Sequence, residues 1–161
     1  MIHADAVGAS RFILTSRLSL AAGVPSFPGP LTMCFVTVTG MANLAVKVAD
    51  LEGACAWYVA AGATVTEPVE WENGRRADVT LGWLKLTLFT KAIYEDVCQL
   101  PEEGFLHPAL FVDDLDAELA RHAVLWGPRT VSGTFGVRRI AFVQAPGGIR
   151  LEFMEQVEDP A

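Results

Sequence analysis

Residues 136–154 read GVRRIAFVQAPGGIRLEFM: an apolar run, a Pro-Gly-Gly turn, and a second apolar run. This order predicts two strands joined by a tight connection, because Pro and Gly punctuate segments rich in Val, Ile and Phe. Period-two alternation then sets Gly148, Arg150 and Glu152 on one face of the second strand and Ile149, Leu151 and Phe153 on the other. The apolar face calls for a helix or a core against it. A carboxylate in mid-strand on the opposite face is costly unless it meets a cation or lines a wet cavity. Glu152 therefore marks a candidate pocket.

The strand predicted over 105–112 follows the same logic, with His107, Ala109 and Phe111 opposed to Pro108, Leu110 and Val112. A His and a Glu thus both oppose the apolar faces of their strands. Bracing of two strands by a hydrogen-bonded pair is one reading of them, and a ligand pair is the other.

The totals narrow the class. A chain of 161 residues that is 52% apolar is long enough for one well-cored domain or two small modules sharing a core. Twelve basic residues against nineteen acidic ones, a formal net charge of −7, argue against a phosphate-backbone binder, so nucleic acid is not an expected partner. Cys34, Cys55 and Cys98 are odd in number and widely spaced, which suggests free thiols and neither a disulfide framework nor a zinc knuckle. No apolar run reaches the roughly 18 residues of a membrane span. The expectation is a soluble, cytoplasmic protein with no membrane partner.

Residues 1–40 fit the pattern poorly. The mildly apolar stretch 12–24 is broken by Arg17 and has no signal-peptide layout, and the cluster Pro25-Ser-Phe-Pro-Gly-Pro30 stops any helix. Residues 1–40 are accordingly expected to be a disordered extension or to precede the true start at Met33 or Met41. The patterned domain is expected over 41–156, followed by a tail at 157–161.

From Asn43 the pattern is regular. Leu44, Val46 and Val48 alternate with polar or small residues as in a half-buried strand, Asp50 is placed to cap a helix to about Ala61, and Gly62 to end it. Residues 63–71 predict a strand that Pro68 bends or leaves at an edge. Glu72-Asn73-Gly74 predicts a hairpin into 75–81, and 83–89 predicts a further strand. After a connection at 91–104 the order recurs: strand 105–112, a helix capped by Asp114 and running to about Leu125, a break at Gly127-Pro128, a short strand near 129–132, and the closing hairpin.

The recurrence is an internal repeat. A shift of 64 lays residues 43–51 on 107–115 with identities at Ala45/Ala109, Val48/Val112, Asp50/Asp114 and Leu51/Leu115, and a shift of 65 lays 82–88 on 147–153. Two β-α-β-β-β modules, about 42–90 and 105–154, are expected to cover each other's inner faces, within one chain or across a homodimer. The fold class is α+β, a curled mixed sheet around a shared cleft. Its inner faces would hold Asn43, Lys47, Arg76, Trp83, Lys85, Thr87, Phe89, Phe111 and Arg150 beside His107 and Glu152, a wall too polar for a dry core. One of Arg138 and Arg139 must also face inward.

These residues resemble the vicinal oxygen chelate superfamily of glyoxalases, bleomycin-resistance proteins, methylmalonyl-CoA epimerase and extradiol dioxygenases. The resemblance spans about 42–156 and rests on NLAVKVADLEGACAWY at 43–58, HPALFVDDLDAELA at 107–120, and the hairpin at 136–152. It implies a divalent metal held by the first and last strands of each module. His107 and Glu152 match the second module's ligand positions, while Asn43 stands where a His is usual and Thr87 where Glu or Gln is common.

The resemblance then implies an enzyme of lyase, isomerase or dioxygenase type, in which His107, Glu152 and, weakly, Asn43 hold Fe, Mn, Ni, Zn or Mg and Glu152 acts on the substrate. Ordinary glyoxalase I chemistry is disfavoured by Asn43 and Thr87. Trp83, Lys85, Thr87, Arg76, Phe111 and Arg150 would bind a small substrate with neighbouring oxygens. The alternative is a metal-free resistance protein that sequesters an aromatic or anionic compound by stacking, with Trp71 and Trp83 as platforms.

Overall fold

The computed structural model describes residues 38–159. Its elements are β1 (Val38–Lys47), α1 (Leu51–Ala60), β2 (Thr64–Val65), β3 (Val69–Trp71), β4 (Gly74–Leu81) and β5 (Leu84–Phe89), then β6 (Gly104–Val112), α2 (Leu115–Leu119), β7 (Val124–Gly133), β8 (Gly136–Gln144) and β9 (Arg150–Glu158). All nine strands form one sheet in the order β2-β4-β5-β1-β6-β9-β8-β7, with β3 also on β4. The order is symmetric about its centre. β1 runs parallel to β5, β6 runs parallel to β9, and β1 and β6 join the halves as antiparallel partners. The two expected modules are thus paired within one chain.

Each half carries its helix on the outer face. Asp50 accepts a hydrogen bond from the Gly53 amide and Asp114 from the Ala117 amide, satisfying a donor that each helix start leaves open. The next residue, Leu51 or Leu115, is buried in an apolar cluster: Ala77, Val79, Leu86 and Leu88 in the first half, and Val112, Ala141, Val143 and Phe153 in the second. These are the strand faces opposite to Glu152 and its cross-strand neighbours. Alternation alone therefore separates the helix-covered face from the concave one.

Several expectations shift. β1 begins at Val38, three residues before Met41, and pairs there with Val112. Residues 38–40 of the proposed extension are thus part of the sheet, and the rest of it, including Cys34, lies outside the described residues. Trp71 and Gly74 pair across the Glu72-Asn73 turn, and the strand preceding that turn is split around Pro68 into β2 and β3.

The second helix stops at Leu119 instead of continuing to Leu125. Val124 and Trp126 instead pair with Val143 and Phe142 of β8, so β7 begins well before Gly127-Pro128 and runs through it with a shift of register. Sheet pairing overrides the weak helical pattern here, because a strand buries the aromatic residue against Phe142, their ring centroids 5.7 Å apart.

The curled sheet brings its two ends together. The Trp71 indole on β3 donates to the Ser132 carbonyl of β7 at 3.2 Å, and Arg129 on β7 meets the Glu72 carboxylate at 2.7 Å. This closure roofs the concave face and turns a groove into a pocket.

Candidate functional site

Register decides what the concave face holds. Asn43 pairs with Ala109, Ala45 with His107, Ala109 with Glu152 and Glu152 with Phe142, so these side chains share one face across four strands. From the first half, Ala45 pairs with Thr87, Thr87 with Asp78, and Phe89 with Arg76, which extends the same face. Ala45 and Ala109, both fully buried, keep the floor low. Above them lies a pocket with an empty volume of about 480 Å³, its mouth included.

At the second half's end of the pocket, three groups form a chain. The Tyr94 hydroxyl lies 2.9 Å from His107 Nδ1, and His107 Nε2 lies 3.1 Å from Glu152 Oε2. An ionised carboxylate only accepts, so Nε2 carries the proton toward Glu152, and in the neutral ring Nδ1 accepts from Tyr94. Burial pushes the Tyr94 phenol up to about 12, so it keeps its proton at neutral pH. Phe142 packs on both rings, its centroid 4.4 Å from that of Tyr94 and 4.8 Å from that of His107. Glu152 lines the pocket, and its Oε1 takes no hydrogen bond from the described residues.

Tyr94 comes from the connection at 91–104, where a non-periodic stretch gave no signal. It is held by turns that close from Glu95 to Ala92 and from Val97 to Tyr94, and by an ion pair between Lys47 on β1 and Glu95. Burial alone would raise the Glu95 carboxyl, but the Lys47 ammonium and the Ala92 amide hold it below its ordinary value.

At the other end stand two buried arginines. Arg76 on β4 donates to Thr134 Oγ1 at 2.5 Å and lies 5.6 Å from the Trp71 ring centroid. Arg138 on β8 is the inward member of the Arg138-Arg139 pair. Its guanidinium lies 5.0 Å from the Phe135 ring centroid, and its one hydrogen bond among the described residues is a 3.5 Å contact to Met154 Sδ. Arg139 turns outward to Asp116 and Glu155.

The first half's predicted ligand positions serve a different network. Asn43 Nδ2 donates to Thr87 Oγ1 at 2.7 Å, Thr87 donates to Asp78 at 2.8 Å, and Thr134 donates to the other Asp78 oxygen at 2.6 Å. Arg76, Asn43, His107 and Glu152 line the main pocket. Lys85 and Thr87 line an adjoining groove with Asp78 and Thr134, and Phe111 lines a separate depression.

Arg150 stacks over the Tyr94 ring, 5.6 Å from its centroid, outside the pocket wall. Trp83 is misplaced by the strand reading: it sits in the β4–β5 turn, 87% exposed, because the turn that Gly82 makes at φ 61° takes in Trp83 and β5 begins only at Leu84. The aromatic walls come from Trp71 and Phe89, both expected there, and from Phe135 and Phe142. Cys55 and Cys98 are free thiols.

The donor set tests the expected metal. His107 and Glu152 are two strong donors, but among the described residues no three His, Cys, Asp or Glu side chains stand together as a site for an ion. Asn43 is engaged with Thr87, and Arg76 and Arg138 add positive charge to the same pocket. These residues do not fit a divalent ion that needs three or four protein ligands.

No family model matches the sequence, and no curated protein matches it. Solved structures do. The chain is similar to methylmalonyl-CoA epimerase from Mycobacterium tuberculosis at 21% identity and TM-score 0.57, over 80% of this chain and 95% of that one. It is also similar to the Streptomyces coelicolor methylmalonyl-CoA epimerase variant Q60A, bound to 2-nitronate-propionyl-CoA, at 22% identity and TM-score 0.58, over 76% of this chain and all of that one. A third likeness is to 2,2',3-trihydroxybiphenyl 1,2-dioxygenase from Sphingomonas wittichii, at 15% identity and TM-score 0.51, over 75% of this chain and 43% of that one. The paired modules, the symmetric strand order and these likenesses agree: the chain has the fold of the vicinal oxygen chelate superfamily.

Proposed function

We propose that the protein is an enzyme of the isomerase class that moves a proton at a carbon next to a carbonyl or carboxyl group, with Glu152 as the base. The observation that carries this reading is the Tyr94-His107-Glu152 chain, which ends in a carboxylate that lines an aromatic-walled pocket. Glu152 Oε1 would take the proton from carbon. The electron pair of the broken C–H bond moves to the carbonyl oxygen as an enolate, and the protonated Glu152 carboxyl, after exchange with solvent, returns a proton to carbon on the face it took it from. His107 holds the carboxylate through Nε2–H, and Tyr94 fixes the His107 tautomer in the manner of an orienting third group. Developing negative charge on oxygen falls in a pocket that already contains two guanidinium groups, a preorganised field for an enolate. The epimerase likenesses support a proton-transfer class. No step here runs through a metal.

The test is solvent deuterium exchange. A panel of small 2-oxo acids and acyl thioesters is incubated in D2O and followed by proton NMR. Wild type is expected to wash out a C–H signal in at least one member, and Glu152→Gln to lose that exchange by about a thousandfold or more while still binding the compound. Equal exchange by the variant removes Glu152 from the role.

The aromatic walls favour one second reading, a binding protein that sequesters a flat compound without turnover. It predicts tight binding with no exchange in wild type.

A further inference from the structure

The two arginines of the pocket have more hydrogen-bonding capacity than the chain uses. Arg76 and Arg138 are 6% and 4% exposed, and the Nε of each is buried with no hydrogen-bond partner among the described residues. Buried guanidinium nitrogens are ordinarily paired, because an orphaned donor keeps its full desolvation penalty. The two groups also converge. A side chain starting at Gly133 would lie 2.9 Å from one Arg138 terminal nitrogen and 3.2 and 3.4 Å from those of Arg76. Glycine at 133 thus leaves the space between two like charges open.

The nearby carboxylates do not fill that need. Asp78 receives Thr87 and Thr134, and its nearest approach to Arg76 is 4.0 Å. Glu152 is hydrogen-bonded by His107, and Arg138 forms no ion pair within 4.0 Å among the described residues. Burial pushes the Arg138 guanidinium down, but an arginine keeps its charge in the physiological range. Around the pair stand flat rings, Phe135 against Arg138 and Trp71 against Arg76, with Phe89 tilted against Trp71 at 5.3 Å.

We propose that Arg76 and Arg138 form an oxyanion subsite that grips the carboxylate of an aromatic carboxylic acid, whose ring packs against the aromatic wall of Trp71, Phe89 and Phe135. A planar carboxylate offers two oxygens to two guanidinium forks, and the rings supply an apolar wall beside it. This assignment deepens the proton-transfer reading by naming the substrate class, and it rests on that reading only for turnover, not for binding.

The probe is benzoate, with the uncharged isostere benzamide and inorganic phosphate as controls, read by calorimetric titration and thermal melting. Benzoate is expected to bind one per chain and raise the Tm, with benzamide at least about tenfold weaker and phosphate weaker than benzoate. Arg138→Met is expected to weaken benzoate about tenfold or more without lowering the ligand-free Tm. That combination separates a ligand-binding arginine from a structural one, whose replacement lowers the Tm.

A fall in Tm with unchanged benzoate affinity overturns the subsite. Phosphate binding as tight as benzoate overturns the aromatic carboxylate and leaves a general oxyanion site. If Arg138→Met does not fold, wild type still decides: benzoate must stabilise more than equimolar chloride, and benzamide must not. Measuring both benzoate binding and proton exchange on wild type separates the two proposals. Benzoate binding retained without proton exchange in wild type refutes the isomerase and keeps the subsite, whereas exchange without benzoate binding does the reverse.

Discussion

Tyr94 is the residue on which the geometry of the candidate base depends, since it holds the far nitrogen of the His107 ring that orients Glu152. Burial raises its phenol to about 12 from an ordinary value of 10. A raised folded value means that the stability linked to this proton is fully present below pH 10 and is lost as pH rises toward about 12, where the unfolded chain ionises first. Spectrophotometric titration of tyrosinate should show a component delayed to that range, and Tyr94→Phe should remove it. Leaving His107 Nδ1 without its donor should also cost about 1–3 kcal/mol in urea unfolding. A titration without any late component would remove Tyr94 from its buried position. The neighbouring carboxyl behaves oppositely. Glu95 is held below its ordinary 4.5, mainly by Lys47 and the Ala92 amide acting against burial. Its contribution is therefore present above pH 4.5 and disappears as pH falls through the lowered value, and Glu95→Gln should flatten the acid limb of the stability curve.

Among the elements, the two helices show what local chemistry can be read directly. Asp50 and Asp114 sit at equivalent points of the repeat, and both are N-caps with extended backbone, at ψ 97° and 104°. Asp50→Ala should cost about 1 kcal/mol of stability. Because α1 packs on the outer face, away from the pocket, that loss should leave benzoate affinity unchanged in the same titration. Gly53→Ala is a sharper case. Alanine favours a helix by roughly 1 kcal/mol over glycine, but its Cβ would stand 2.3 Å from an Asp50 carboxylate oxygen, so the capping side chain must shift and the gain in stability should fall short of that figure. The caps were legible because Asp followed by Leu needs only adjacent residues to be recognised. The end of α2 was not, since nothing within 115–125 states that Val124 and Trp126 will find partners on β8. Trp83 failed for a related reason: strict alternation counts it inward, and only the glycine at positive φ moves it into the turn.

At the scale of the whole molecule, the repeat in the sequence became the symmetry of the sheet, and of the residues that alternation turned inward, Asn43, Arg76, His107 and Glu152 line one pocket while Lys85, Thr87 and Phe111 line neighbouring depressions. His107 and Glu152 were legible as a pair because each interrupts an apolar strand with a group that must be satisfied. Three things were hidden. Alternation placed one of two adjacent arginines inward without choosing Arg138. Tyr94 lay in an aperiodic connection, and the Asn43-Thr87-Asp78 chain needed the β4–β5 register. That chain bears on the expected metal, because it engages the side chains that would have completed the ligand set, while two buried cations share the pocket. Elemental analysis of protein purified without an affinity tag should therefore find well under one divalent ion per chain, with no further fall in His107→Ala. Exhaustive treatment with a chelator should leave both the Tm and the benzoate affinity of wild type unchanged. Near-stoichiometric metal that disappears in His107→Ala would reverse this conclusion. It would mean that His107 Nε2 and Glu152 face an ion instead of each other, with Nδ1–H donating to Tyr94. The same chemistry would then have to be rebuilt around two protein ligands and a substrate that supplies the rest.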